Sequence, residues 1–339
     1  MKLTFKPQYL QLKHPFTIAN FTRTQTPVVF TQLAFEGKIG LGEAAMPPYL
    51  GETIETATAF LSAIDLSIFK NPMAEQTDIL KYIDDFLPQN TAAKASIDMA
   101  LHDLIGKIIN QPTWKTLGSS PNLMPATSCT IGIDSLKMIE QKVKEAQKFA
   151  VLKIKLGTDF DKEIIQTIRK ITDKPLCIDA NQGWKTTDKA LKMLEWLRQK
   201  NVLFVEQPLP KNDLKQHQML KNAQILPIFA DESCQRLADI DSVAECFDGI
   251  NIKLMKCTGI AQAKQMILKA KALNLKTLIG CMTESSCAIN AAMQLAPQAD
   301  FCDLDGFFLI SNNPFRDPTL NQNGTLALND LPGIGVKKR

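Results

Sequence analysis

Three acidic residues and three lysines lie at the ends of short apolar runs. The acids are Asp179, Glu206 and Asp231, and the lysines are Lys153, Lys155 and Lys253. Carboxylates gathered in a partly dehydrated site repel one another and need a cation. Oxygen ligands without histidine or cysteine favour Mg²⁺, with Mn²⁺ as the alternative, over zinc. A closed network of salt bridges between the acids and the lysines is the competing interpretation.

Lys155 and Lys253 are the candidates for proton transfer. A lysine acts as a general base only as the neutral amine. A divalent cation bound to a substrate carboxylate stabilises the negative charge that appears when the neighbouring carbon loses its proton. Amines on opposite faces of that carbon would remove the proton on one side and return it on the other. The residues therefore predict proton abstraction next to a carboxylate, with inversion of the stereocentre.

Regular intervals along the chain indicate the elements that carry these residues. Counted from Lys153, polar or strand-breaking residues end apolar runs at positions 153, 179, 206, 231, 253, 281 and 303. Each interval has the length of a strand, a helix and their loops, which predicts parallel βα units. With residues 126–132 as a first strand, eight units close into a barrel whose active site lies at the carboxyl ends of the strands. The strands of Lys155 and Lys253, second and sixth of eight, would face each other.

The residues before the barrel follow other patterns. Residues 1–45 alternate as strands do, with a hairpin turn at residues 36–38, and helical spacing follows at 52–69, 75–87 and 91–109. The turn-forming stretch 117–121 predicts a domain boundary near residues 120–126.

Composition excludes several classes of function. The chain has 339 residues, of which 45% are hydrophobic and 22% charged, as in an ordinary globular protein. Its net charge is +4, and the basic residues form no stripe that would bind nucleic acid. No apolar run is long enough for a membrane helix, and the first residues lack a signal-peptide pattern, so we expect a cytoplasmic protein. Eight scattered cysteines without a C-x-x-C pair predict reduced thiols. The composition is compatible with a homo-oligomer.

Asp303 and Asp305 form a further acidic pair. Their spacing directs both side chains to one face of a strand. Two carboxylates near a barrel end are candidates to hold an ammonium group of the substrate. They would equally serve to cap a helix or to pair with surface lysines.

The motifs that contain these residues resemble those of the enolase superfamily, and within it the muconate-lactonizing-enzyme subgroup. The motifs are Lys-Ile-Lys at 153–155, Asp-Ala-Asn-Gln-Gly-Trp at 179–184, Glu-Gln-Pro at 206–208, Ala-Asp-Glu-Ser at 230–233 and Asn-Ile-Lys at 251–253. The resemblance covers nearly the whole chain. It implies an α+β capping domain (residues 1–125), then a (β/α)7β modified TIM barrel (126–320), and a C-terminal segment (321–339) that returns toward the capping domain.

The resemblance also implies a role for each site residue. It assigns Asp179, Glu206 and Asp231 to one Mg²⁺ ion, Lys155 and Lys253 to acid/base chemistry, and Lys153 to the substrate carboxylate. The Asp303/Asp305 pair is similar to that of dipeptide epimerases, in which it binds the α-ammonium group of the N-terminal residue. The remaining predicted substrate-binding residues are Thr130, Cys281 and Thr283 at strand ends, and Arg23, which would face the substrate side chain as in Ala-Glu epimerases.

We therefore expect a Mg²⁺-dependent dipeptide epimerase that acts on the second residue of Ala-Xaa dipeptides from cell-wall peptides. Ala-Ala competes with Ala-Glu as substrate, because the neighbours of Arg23 are less polar than a glutamate site suggests. These neighbours are Asn20, Phe21, Thr22, Tyr49 and Leu50. Muconate cycloisomerases and o-succinylbenzoate synthases share the metal ligands and lysines, so such a lyase is the alternative. A non-catalytic binding protein is the third hypothesis.

Overall fold

A three-stranded antiparallel sheet begins the chain. Its strands β1 (Lys2–Ile18), β2 (Phe21–Phe35) and β3 (Lys38–Ala45) pair in sequence order. The β2–β3 hairpin turns at Glu36 and Gly37, whose φ angles of 44° and 76° are the positive values that a two-residue turn requires. These coordinates are a computed structural model that describes residues 1–19, 21–46 and 48–339.

Four α-helices follow the sheet, with short 3₁₀ helices at Pro48–Leu50 and Pro121–Leu123. The α-helices are α1 (Ile54–Ala63), α2 (Gln76–Asp85), α3 (Thr91–Ile108) and α4 (Thr113–Leu117). Helix α1 ends earlier than its spacing predicts, because the Asp65 carboxylate accepts a hydrogen bond from the Ser67 amide at 2.9 Å and so favours a turn. Helix α3 approaches β3 closely, and a Cβ on Gly42 would lie 1.9 Å from the Ser96 carbonyl oxygen.

Eight parallel strands make up the second sheet, which is a barrel. They are β4 (Ser128–Ile131), β5 (Val151–Lys155), β6 (Leu176–Asp179), β7 (Val202–Glu206), β8 (Ile228–Ala230), β9 (Gly249–Lys253), β10 (Lys276–Gly280) and β11 (Phe301–Asp303). They pair in sequence order, and a bridge between Thr127 and Cys302 brings the first strand to the last. The fold class predicted from the sequence is confirmed.

Helices connect each barrel strand to the next. They are α5 (Leu136–Glu145), α6 (Asp161–Arg169), α7 (Thr187–Arg198), α8 (Leu214–Asn222), α9 (Ile240–Val243), α10 (Leu254–Cys257), α11 (Ile260–Ala272), α12 (Ser286–Met293) and, after the last strand, α13 (Gly306–Leu309). Short 3₁₀ helices lie at Leu237–Asp239 and Ala296–Gln298. Among the described residues, no helix is both long enough and apolar enough to cross a membrane.

The last residues of the chain contact the first domain. The Gly333 carbonyl accepts a hydrogen bond from the Thr113 amide at 2.8 Å, and the Gly333 amide donates to the Gln111 carbonyl at 2.9 Å. Phe315 packs edge-on against Phe30 of β2, with 5.4 Å between the ring centroids. The exact limits of the three predicted segments, at residues 125 and 320, stay a prediction.

Two buried carboxylates of the capping domain cap helices of the barrel. Glu43 of β3 accepts hydrogen bonds from the Ser285 amide at 2.9 Å and the Ala288 amide at 3.2 Å, at the start of α12. Asp98 of α3 accepts from the Ile260 amide at 2.6 Å, at the start of α11. Negative charge is favourable at a helix N-terminus. These contacts therefore fix the capping domain against the barrel near the carboxyl ends of β9 and β10.

We predict that Glu43→Gln lowers the melting temperature measured by circular dichroism. The variant replaces a buried charged acceptor, and hydrogen bonds to charged groups contribute about 1.5–3 kcal/mol each. Asp241→Asn is the matched control, because that carboxylate is 69% exposed and pairs with Lys269 at the surface. A melting temperature of Glu43→Gln equal to those of the control and the wild type would contradict this role.

Candidate metal and acid/base site

The three acids predicted to bind metal converge at the carboxyl ends of adjacent strands. Asp179 and Glu206 are the last residues of β6 and β7 and lie side by side in the sheet, and Asp231 directly follows β8. Each offers an oxygen atom within 4.8 Å of the others, and at most 1% of each residue is exposed. This set of hard oxygen donors fits a divalent cation such as Mg²⁺.

Lys155 and Lys253 reach this acid cluster from opposite walls of the barrel. Lys155 ends β5 and donates to Asp179 Oδ2 at 2.6 Å. Lys253 ends β9 and donates to Asp231 Oδ2 at 2.7 Å. Strands β5 and β9 are four apart in a ring of eight, and both lysines line the same cavity. The geometry therefore brings an amine to each side of one site.

Lys153 joins the acid cluster to the Asp303/Asp305 pair. Its Nζ lies 2.7 Å from Glu206 Oε2, 2.9 Å from Asp303 Oδ2 and 3.2 Å from Asp179 Oδ2. Burial disfavours its charge, but these carboxylates outweigh burial and hold the pKa of Lys153 well above its ordinary value. Lys153 is therefore a fixed cation on the floor of the cavity.

The lysines offset the three acids unequally. Burial, followed by the charge of Asp179, raises the pKa of Glu206 to about 7, even though Lys153 lies beside it. At the other two acids the lysines outweigh burial and lower the pKa of Asp179 and of Asp231. The acids therefore form salt bridges with the lysines and also gather oxygen donors within 4.8 Å of one another, an arrangement that suits a metal ion.

Asp303 and Asp305 are both buried at the end of β11. Asp303 accepts from Lys153, and Asp305 Oδ2 accepts from the Thr130 amide at 2.6 Å. Burial and the charge of Asp303 raise the pKa of Asp305 to about 7. The Asp305 carboxylate makes no capping hydrogen bond to α13 among the described residues, and burial separates the pair from surface lysines. Of the three roles considered for this pair, binding of an ammonium group fits these contacts.

One cavity brings together all the predicted substrate-binding residues. They are Arg23, Thr130, Lys153, Cys281, Thr283, Asp303 and Asp305. Ile18, Met282 and Leu309 also line it, and sequence reasoning missed them because apolar residues carry no chemical signature.

Arg23 enters the cavity from β2 of the capping domain. Its Nη2 donates to Thr283 Oγ1 at 2.6 Å, and its guanidinium group lies 5.6 Å from the centroid of the Phe16 ring. Burial lowers the pKa of Arg23 to about 10, so the group stays charged at neutral pH. Within the described residues, its buried Nε and Nη1 have no hydrogen-bond partner. Asn20, a neighbour of Arg23 in the sequence, lies outside the described residues.

Comparisons with known proteins agree with this geometry. The model described as "Mandelate racemase / muconate lactonizing enzyme, N-terminal domain" matches residues 2–118, and "Enolase C-terminal domain-like" matches residues 137–339. The chain is 50% identical over 339 residues to the L-Ala-D/L-Glu epimerase of Bacteroides thetaiotaomicron, covering 100% of this chain and 88% of that protein.

Two further relatives are similar over almost their full length. The L-Ala-D/L-amino acid epimerase of Maribacter sp. is 35% identical, with 99% of each chain covered. The crystal structure of the dipeptide epimerase from Methylococcus capsulatus, complexed with Mg and the dipeptide L-Arg-D-Lys, has a TM-score of 0.91 at 28% identity and 99% coverage of each chain. The chain therefore belongs to the enolase superfamily, in its mandelate racemase/muconate lactonizing enzyme family, and within that family to the dipeptide epimerases.

Proposed function

We propose that this protein is a Mg²⁺-dependent epimerase that inverts the α-carbon of the second residue of Ala-Xaa dipeptides, with Ala-Glu as its preferred substrate. The observation that carries the proposal is the approach of Lys155 and Lys253 to one acid cluster from opposite walls of the barrel. A substrate carbon between them would meet one amine on each face. That arrangement suits the removal of a proton on one side and its return on the other.

Asp179, Glu206 and Asp231 would hold the Mg²⁺ ion. The ion would stabilise the negative charge that develops on the substrate carboxylate when the α-proton leaves. Support comes from the buried oxygen donor set of this chain and from the Mg in the Methylococcus capsulatus relative.

The lysines and the acidic pair would transfer protons and hold the substrate. In one direction Lys155 takes the α-proton and Lys253 donates a proton to the opposite face, and the reverse reaction exchanges these roles. Lys153 would contact the substrate carboxylate, and Asp303 with Asp305 would hold the α-ammonium group. Fixing both ends of the dipeptide would keep its α-carbon between the two amines, and such positioning lowers the barrier of proton transfer.

Arg23 supports a glutamate in the second position. Among the described residues, its buried Nε and Nη1 meet no acceptor, and an unpaired buried donor is costly. A substrate side-chain carboxylate would accept a charge-assisted hydrogen bond from Nη1. Ala-Ala remains the second candidate substrate, because Phe16, Phe21 and Tyr49 supply apolar surface to the same cavity.

We also propose a cytoplasmic location. All eight cysteines are free thiols. Free thiols persist in reducing compartments, which is the condition of the cytoplasm.

The first prediction concerns the two lysines. In D₂O with Mg²⁺, the enzyme should exchange the α-hydrogen of the glutamate residue of L-Ala-L-Glu and form L-Ala-D-Glu. Lys155→Ala and Lys253→Ala should each slow epimerisation by about 10²–10⁴-fold, the usual contribution of a general acid or base. Each variant should still exchange the α-hydrogen of one epimer, because the remaining lysine reaches one face only. Proton NMR measures both reactions.

Lys189→Ala is the control for these variants, because Lys189 lies at the surface and pairs with the exposed Asp159. Exchange of both epimers by a single-lysine variant would contradict the two-base arrangement. Failure of the wild type to exchange or epimerise any member of an Ala-Xaa dipeptide set would contradict the proposed function.

The second prediction separates an epimerase from a lyase or cycloisomerase. Asp303→Asn should lower kcat/KM for L-Ala-L-Glu by about 100-fold, because a lost charged hydrogen bond costs about 1.5–3 kcal/mol. The wild type should reject N-acetyl-L-Ala-L-Glu, which lacks the ammonium group, by a similar factor. Equal turnover of the free and acetylated dipeptides by the wild type would contradict the ammonium site.

The third prediction concerns the second residue of the substrate. Arg23→Met should lower kcat/KM for L-Ala-L-Glu by about 10–100-fold, since a hydrogen-bonded charge pair is lost. The value for L-Ala-L-Ala should change little, so the ratio of the two values is the measurement. An equal loss with both dipeptides would mean that Arg23 supports the packing of β2 against the barrel and does not recognise the side chain of the second residue.

A further inference from the structure

Each acid of the metal cluster presents one oxygen to an active-site lysine. In Asp179 this oxygen is Oδ2, which faces Lys155, and in Asp231 it is Oδ2, which faces Lys253. In Glu206 it is Oε2, which faces Lys153 at 2.7 Å. Each acid thus has one oxygen that faces a lysine of the cavity wall.

The other oxygen of each acid is held from behind. Asp179 Oδ1 accepts from the Asn181 backbone amide at 3.0 Å. Glu206 Oε1 accepts from Asn251 Nδ2 at 2.7 Å, and Asp231 Oδ1 accepts from Lys256 Nζ at 2.5 Å. One of these three donors is a backbone amide, and the other two are the side chains of Asn251 and Lys256.

Lys256 is a buried cation with no freedom to turn. Only 1% of the residue is exposed. Its three N–H donors are shared among Asp231 Oδ1 and the carbonyl oxygens of Asp231 at 2.7 Å, Asn251 at 2.9 Å and Cys234 at 3.0 Å. These acceptors come from the loop after β8 and from β9. A charge fixed by two segments holds the Asp231 carboxylate in one orientation.

Asn251 holds the Glu206 carboxylate in the same way, through a hydrogen bond from its side-chain amide. It precedes Lys253 by two residues in β9, so both side chains face the same side of the strand. The neighbouring strand leaves room for it, because a Cβ on Gly280 would lie 2.4 Å from Asn251 Oδ1. Asn251 is completely buried.

We propose that Lys256 and Asn251 are positioning residues that make Asp231 and Glu206 bind the cation through one oxygen each. This inference rests on the metal site of the proposed function. A carboxylate free to turn would offer both oxygens to the ion and occupy ligand positions that the substrate carboxylate needs. Groups that orient metal ligands from behind typically change metal affinity by about 10–100-fold.

The sign of the effect distinguishes positioning from simple charge. The Lys256 ammonium repels a divalent cation, so its removal would tighten metal binding if charge were its only contribution. If Lys256 orients Asp231, its removal weakens binding in spite of the lost repulsion.

The test is direct binding of Mn²⁺ to the full-length protein without substrate, measured as free Mn²⁺ by electron paramagnetic resonance. We expect Lys256→Gln and Asn251→Ala each to raise the Kd for Mn²⁺ by about 10–100-fold. Lys221→Gln is the matched control with an unchanged Kd, because Lys221 also joins two backbone carbonyls, those of Ala244 and Phe247, both at 2.9 Å.

Three outcomes are informative. Tighter or unchanged Mn²⁺ binding by folded Lys256→Gln overturns the inference. Should that variant fail to fold by circular dichroism, Asn251→Ala decides, and an unchanged Kd overturns the inference. A wild type that binds no Mn²⁺ removes the metal site itself, which separates failure of the proposed function from failure of the positioning role.

Discussion

The repulsion among carboxylates buried at the ends of three adjacent strands is the constraint on which the site depends. Asp179, Glu206 and Asp231 are almost fully excluded from water, and none is stable there as an isolated anion. The lysines of β5 and β9 offset part of this cost, and each lysine in turn would be a costly buried charge without its acid. Acids and lysines are therefore retained together, and a bound cation completes the balance. The buried acid cluster, whose burial is costly for folding, is thus also the proposed reactive centre.

The barrel and the capping domain contribute different things to this centre. The barrel supplies the acids and lysines from strand ends, which are rigid. The capping domain supplies Phe16 and Arg23, which line the cavity, and Arg23 contacts Thr283 of the barrel. Glu43 and Asp98 hold the domain in this position through helix N-termini next to the site. Under the proposed function, changes in the two strands that carry Phe16 and Arg23 would alter the choice of substrate without disturbing the lysines proposed to transfer protons.

The sequence predicted those features that repeat or that carry charge in an apolar run. The intervals from Lys153 to Asp303 revealed the barrel, because every βα unit must return its strand end to the same edge of the sheet. The Arg23–Thr283 contact joins residues 260 positions apart, and no local pattern reports such a contact. Lys256 was missed although it stands in the apolar run Leu254-Met255-Lys256-Cys257, where a lysine that is buried would need a partner. Helix α1 was predicted too long because an Asp65 side-chain hydrogen bond competes with helical spacing.

The groups behind the acids also explain why the pKa values of two equally buried carboxylates shift in opposite directions. Burial raises the pKa of Asp231, but Lys253 and then Lys256 outweigh it and hold that pKa well below its ordinary value. Glu206 has the neutral Asn251 behind it, and burial together with Asp179 raises its pKa to about 7. The lysines on both sides of Asp231 thus favour its ionised form, whereas Glu206 has a lysine on one side only. A cation bound in the cavity would have to displace the proton of Glu206, so metal binding there depends on pH.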